Sequence, residues 1–194
     1  MKVLVGCEFS GTVREAFTRK GHNAYSCDLL DSEKLGKHIK GDIRHVLNES
    51  WDLMIAFPPC TYLAVSGARW FAQRKKEQIE ALEFIKTLMN APIQRICIEN
   101  PVSVISTKIR KPDQIIHPWQ FGHGETKTTC LWLKNLPKLK PTKIVLGRKH
   151  RIWKMPASPN RGKNRSRTYD GIAEAMAEQW GKLGKLLVGE EKQP

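Results

Sequence analysis

The chain has 194 residues, 40% of them apolar and 27% charged, which suits one domain with a full core and excludes a disordered chain. Lys and Arg number 33 against 19 Asp and Glu, a formal net charge of +14 that points to a polyanionic partner. No apolar run approaches a membrane span, and the opening MKVLVGCEFSG is too short and too acidic for a secretory leader, so a cytoplasmic protein with no membrane partner is expected. Cys7, Cys27, Cys60, Cys97 and Cys130 are odd in number and widely spaced, with no C-x-x-C pair. That spacing fits free thiols in a reducing compartment and predicts neither a disulfide framework nor a metal site.

In chain order, KVLVG (2–6) predicts a strand, a Ser10-Gly11 turn follows, and a helix is expected near 12–20. HNAYSC (22–27) predicts a second strand ending at Asp28, HIKGDI (38–43) a short third ending at Asp42, and DLMIAF (52–57) a fourth. EQIEALEFIKTLMN (77–90) predicts a helix with Ile79, Leu82, Ile85 and Met89 on its core face. RICIEN (95–100) predicts a fifth strand, stopped by Pro101, and the segments 115–121 and 128–133 predict a closing hairpin. A final amphipathic helix is expected over 169–187, and the tail GEEKQP is read as disordered. Strands alternating with helices imply an α/β fold with a mainly parallel sheet in a single domain spanning 1–194.

In such a sheet, ligands bind at the carboxyl ends of the strands. The first strand runs into a glycine turn at a helix start. The second ends at Asp28, about twenty residues on, where an acid can hold a ribose hydroxyl. The third, fourth and fifth end in GDI, PPC and IEN. Pro58 and Pro59 cannot donate to a ladder, so they end the fourth strand and leave Cys60 on a stiff loop. A cysteine there either packs the turn as a small apolar residue or serves as a reactive thiol. Five chemistry-bearing ends along one sheet edge favour an adenosine-type cofactor site beside a thiol. Further on, GRKHRIWKMPASPNRGKNRSR (147–167) holds eight Lys or Arg and no acid. Broken by Pro and Gly and carrying Trp153, it reads as a polyanion-binding loop.

These segments together resemble the DNA cytosine-5 methyltransferases, over nearly the whole chain and in the family's order. EFSGTVREAFTRKGHNAYSCD resembles that family's cofactor turn, helix and second-strand acid. GDI resembles its adenine-contacting segment, FPPC its catalytic loop and IEN its E-N strand end. FGHGETKTTCLWL stands where the family carries an arginine motif, and GIAEAMAEQW is similar to its last helix. Compact chains of this shape also resemble those encoded by bacteriophages and prophages, which implies a bacterial host cytoplasm.

The resemblance implies a Rossmann-like class I S-adenosylmethionine-dependent methyltransferase fold with an antiparallel hairpin at its C-terminal side. It implies transfer of a methyl group to C5 of cytosine in DNA through a covalent cysteine adduct. Cys60 would be the nucleophile, Glu99 would hydrogen-bond the base at N3 and its amine, and Lys127 would reach O2 or a phosphate. Phe9, Ser10, Gly11, Asp28, Asp42, Ile43 and Pro58 would hold the cofactor. Pro59, Asn100, Arg148, Lys149, Arg151, Lys163, Arg165 and Arg167 would face the nucleic acid.

The chain departs from the family pattern in places. The glycine turn continues as Thr12-Val13-Arg14, the expected acid position holds Cys7 with Glu8 one place late, and Thr61 follows the cysteine. ETKTT replaces the arginine motif. Only the basic loop at 137–167 stands where the family carries a target-recognition domain. A free pyrimidine nucleotide, RNA or single-stranded DNA is therefore an alternative substrate, and an inactive nucleic-acid-binding relative is a second alternative.

Overall fold

The computed structural model describes residues 1–184. The Trp153 side chain, the expected end of the last helix at 185–187 and the GEEKQP tail lie outside the described residues. The elements follow in order as β1 (Lys2–Gly6), α1 (Thr12–Arg19), β2 (Asn23–Asp28), β3 (His38–Lys40), β4 (Leu53–Ala56), α2 (Lys75–Met89), β5 (Arg95–Asn100), α3 (Ile105–Lys108), β6 (Gln114–Ile116), β7 (Thr129–Lys134), α4 (Arg151–Lys154), α5 (Arg161–Ser166) and α6 (Asp170–Gly181). The strands form one seven-stranded sheet in the order β3-β2-β1-β4-β5-β7-β6. β1 to β5 are parallel, and β7 runs antiparallel to both β5 and β6. This is a Rossmann-like α/β fold whose strand order reverses on either side of β1.

The central strands are apolar along their whole length because both faces of the sheet are covered. One face carries α1 and α6, with Val13, Phe17, Met176 and Trp180 buried against Val3, Val5 and Ile55. The other carries α2, where Ile85 and Leu88 pack with Leu4, Met54, Ile96, Ile98 and Trp132.

The expected third strand is shorter than its sequence suggested. It ends at Lys40, and Asp42 caps a 3₁₀ turn over Ile43–His45 instead of closing a strand. The expected hairpin forms, with β7 inserted between β5 and β6. The expected core stripe on α2 is rotated. Ile79 is 60% exposed while Leu88 is fully buried, because nine residues at about 100° each put them on opposite sides of the helix. The buried positions are Ile85 and Leu88, with Leu82 and Met89 at their margin. Leu88→Ala is therefore expected to lower unfolding free energy by about 2–5 kcal/mol in urea titrations. Ile79→Ala should stay within about 0.5 kcal/mol of the parent, and similar losses from both would contradict this orientation.

Candidate functional site

The carboxyl edge of the sheet begins at β1, which leaves the ladder at Gly6. Cys7 then takes a left-handed conformation (φ 56°), and Glu8 donates its backbone N–H to the Cys27 carbonyl at 3.3 Å. Gly11 caps α1 with φ 69°, and a Cβ there would meet the Arg14 Nη2 at 2.7 Å, so glycine is required on two counts. Phe9 and Ser10 are buried. The buried Glu8 carboxylate accepts the Val13 N–H at 2.6 Å and the Arg14 N–H at 3.3 Å, so the chain's own acid caps α1. Burial pushes the Glu8 carboxyl up, opposed by these backbone hydrogen bonds.

Asp28 and Asp42 stand on the same side of the sheet. Burial first, then the charges of Asp28, Cys27 and Asp42, push the Cys7 thiol up to about 12. Asp28 accepts the Leu30 N–H at 2.9 Å through one carboxylate oxygen. Asp42 is committed elsewhere. It accepts the Arg44 N–H at 2.9 Å and pairs with the Arg44 guanidinium, whose hydrogen bonds lower its carboxyl to about 2. Ile43 is buried against Gly6 instead of lining an open face. Sequence reasoning missed Arg14. Its buried guanidinium holds Ser26 and Ser32 hydroxyls and the Lys34 and Leu35 carbonyls at 2.8–3.0 Å, fixing the loop that follows Asp28. Its signal was a basic residue inside a helix whose neighbours Val13, Ala16 and Phe17 are core positions.

Ala56 of β4 lies level with Ile98 of β5, so the Pro-Pro-Cys loop leaves the sheet beside Glu99 and Asn100, which continue β5 in its pairing with β7. Asn100 Nδ2 donates to the Pro58 carbonyl at 3.0 Å. Asn100 is fully buried, so its amide positions the loop and does not face a substrate, as the sequence had suggested. Pro58 is buried beneath it, while Pro59 and Cys60 are exposed. The Leu63 and Ala64 N–H groups both donate to the Cys60 carbonyl, closing a turn on the cysteine. Glu99 is half-buried beside it, and burial pushes its carboxyl up against the opposing charge of Lys127. Burial also pushes the Cys60 thiol up, with the Glu99 charge adding to it and Lys127 and Arg165 working against it. Cys60 thus feels the charges of Glu99, Lys127 and Arg165, and Glu99 that of Lys127.

The basic segment folds across this edge as two short helices joined by loop. Its cations have partners that the sequence did not reveal, because the acids come from elsewhere. Arg151 pairs with the buried Glu125, which also accepts the Tyr169 hydroxyl at 2.6 Å. Lys163 and Arg167 both pair with Glu33, at 3.0 and 2.7 Å. They also lie 5.0 and 5.9 Å from the centre of the Phe9 ring, which is 8% exposed. Arg148 stacks on Trp119 at 3.9 Å, and Lys149 is exposed. A cleft of about 530 Å³ beside Arg14 and Gly36 and one of about 600 Å³ beside Met89 and Trp132 lie away from Cys60.

No protein-family model matches the chain, and no curated protein sequence matches it. A solved structure described as a DNA modification methyltransferase encoded within a prophage of E. coli aligns with 75% of this chain at 12% sequence identity and a TM-score of 0.47. The alignment covers 52% of that protein, so this chain spans about half its length.

Among the cysteines, Cys60 is exposed, Cys7 is half-buried, and Cys27, Cys97 and Cys130 are buried. Iodoacetamide should therefore modify native protein once, at Cys60. Because burial raises that thiol above its ordinary value of 9.0, the thiolate fraction is small at neutral pH. The rate should then climb about tenfold from pH 7 to pH 8 and still be rising at pH 9. A rate that levels off below pH 8, or first modification at another cysteine by peptide mapping, would contradict this geometry.

Proposed function

We propose that the protein is an S-adenosylmethionine-dependent methyltransferase acting at C5 of cytosine in DNA, through a covalent adduct on Cys60. What supports the reading is that Asn100 ties the Cys60 loop to the end of β5 that carries Glu99, and that the charges of Glu99 and Lys127 both act on the Cys60 thiol. The cofactor reading draws on the chemistry of the donor set at the neighbouring strand ends. Asp28 accepts one backbone hydrogen bond among the described residues, leaving acceptor capacity for a ribose hydroxyl, and the Gly11 turn opens beside it. Phe9, Ser10 and Pro58 would form the buried floor beneath the cofactor, with Ile43 packed behind Gly6 and Asp42 held by Arg44 at its edge. S-adenosylmethionine held there would supply an electrophilic methyl carbon.

C5 of cytosine is too weak a nucleophile on its own, so the chain's residues have to raise its electron density. Cys60 gives its proton to solvent and the thiolate adds to C6, forming a carbon–sulfur bond as the C5–C6 double bond opens. Glu99, its carboxyl pushed up by burial, donates its proton to N3 as the ring gains electrons, while its other oxygen accepts from the exocyclic amine. The product is an enamine whose C5 can receive the methyl group. Loss of the C5 proton to solvent then expels the Cys60 sulfur, and N3 returns its proton to Glu99. Lys127 stabilises negative charge on both partners, because its ammonium opposes the rise in both the Cys60 and the Glu99 pKa. Arg148, Lys149 and Arg165 would meet phosphates directly, and Arg151, Lys163 and Arg167 once released from Glu125 and Glu33.

An oligonucleotide carrying 5-fluorocytosine tests the adduct, since fluorine cannot depart as the C5 proton does. Incubated with S-adenosylmethionine, it should remain bound to the protein on a denaturing gel. Cys60→Ser should abolish the trap, and Glu99→Gln should slow trapping about 100-fold or more. Trapping that survives Cys60→Ser, or its absence in the unsubstituted protein, would rule the mechanism out.

A further inference from the structure

The net positive charge has a second concentration that the basic loop does not account for. Residues 53–76 contain no Asp or Glu, and they end in Arg69, Arg74, Lys75 and Lys76. None of these four cations pairs with a carboxylate among the described residues, unlike Arg151, Lys163 and Arg167. Within the same run, residues Val65–Gln73 form a nine-residue 3₁₀ helix in which no residue is buried. Runs of that length are uncommon, and one with no buried side chain is not held by core packing.

Trp70 is the aromatic side chain of this segment most open to solvent, with Tyr62 and Phe71 half-buried. Trp70 is 49% exposed, with the Arg69 guanidinium 5.1 Å from its ring centre. The Arg74 guanidinium lies 5.6 Å from the Tyr62 ring. The segment is anchored at both ends, so it is a platform and not a loose strand. Its start is tied by the Val65 N–H to the Val102 carbonyl and by the Val104 N–H to the Leu63 carbonyl. Its end returns through Gln78 Nε2 to the Tyr62 carbonyl at 3.0 Å. The first anchor begins at the turn closed on the Cys60 carbonyl, so the platform adjoins the cysteine.

We propose that residues 62–76 bind single-stranded DNA beside Cys60, with Trp70 and Tyr62 stacking on unpaired bases and Arg69, Arg74, Lys75 and Lys76 following the phosphates. The inference rests on the reading of Cys60 and Glu99 as a cytosine site. Exposed aromatic faces flanked by unpaired cations suit a strand whose base faces are free; in a duplex those faces are stacked on their neighbours. A duplex would also need a wedge to fill the gap left by an extruded base. The segment 147–167 contributes only two helices of four and six residues, with Arg151, Lys163 and Arg167 tied to Glu125 and Glu33. The target base would then be reached without unpairing.

The test is fluorescence anisotropy of the full chain with a labelled dT20 oligonucleotide and with a 20-base-pair duplex, without cofactor. The single strand should bind more tightly than the duplex. Trp70→Ala should weaken dT20 binding about 5- to 100-fold, the range for one base–aromatic stack. Arg74→Gln should lower the salt slope by about 0.7 for the lost phosphate contact. Because Trp70 lies in a segment with no buried residue, the unfolding midpoint of the variant should match that of the parent. Equal or tighter duplex binding, tighter binding of rU20 than of dT20, or unchanged dT20 affinity in Trp70→Ala would overturn the proposal. The oligonucleotide holds no cytosine and the assay contains no cofactor, so a failure of the platform is distinct from a failure of the cytosine chemistry.

Discussion

The hydrogen bond from Asn100 Nδ2 to the Pro58 carbonyl joins the ends of two parallel strands 42 positions apart in sequence. It holds the loop that carries Cys60 against the strand that carries Glu99. Two prolines remove the loop's own means of joining the ladder, so the side-chain amide supplies the tie that the backbone cannot. The tie is buried, and losing it would leave the Pro58 carbonyl without a partner, a cost of about 1–3 kcal/mol. Around it, the register of β1, β4 and β5 brings Gly6, Ala56 and Ile98 to one level, so the loops after β1 and β4 emerge on the edge where β5 ends two residues later.

Charge organises the layer above that edge. The chain's basic excess is divided between cations held by distant carboxylates and cations left without them. Glu33 and Glu125 hold Lys163, Arg167 and Arg151, which draws the 147–167 segment down over Phe9 and toward β7. The two Glu33 pairs are partly exposed and worth little in water, so a polyanion can compete for Lys163 and Arg167, whereas Arg151 is held by the buried Glu125. Arg165, in the same segment, comes near enough to Cys60 to oppose the rise in its pKa. The segment therefore serves the edge twice, through charge at the thiol and through exchangeable ion pairs at its rim. The 62–76 platform offers the unpaired remainder.

Much of this was legible in the sequence. The strands around 2–6, 52–57 and 95–100 announce themselves as short apolar runs with defined stops, and all three form, the first and last with the expected bounds. That Cys60 and Glu99 belong to neighbouring strand ends was suggested by the family resemblance, and the pairing of β4 with β5 puts those ends side by side. What stayed hidden depends on partners distant in the chain. Asn100 reads as a polar strand-end residue facing a ligand, and only the fold reveals that it faces Pro58. Asp42 reads as a free carboxylate, yet the turn after β3 brings Arg44 back onto it. Ile79 fits a helical stripe on paper, but the stripe's phase is set by where α2 lies on the sheet. Glu33 and Glu125 are invisible as partners of a loop that contains no acid.

The central claim is that this edge delivers a methyl group to C5 of cytosine through Cys60. The most direct measurement is mass spectrometry of nucleosides from DNA incubated with the protein and S-adenosylmethionine carrying a deuterated methyl group. The account predicts deuterium-labelled 5-methyldeoxycytidine, absent when Cys60→Ala replaces the parent protein. Label in N4-methyldeoxycytidine or N6-methyldeoxyadenosine, or undiminished 5-methyldeoxycytidine with Cys60→Ala, would contradict it.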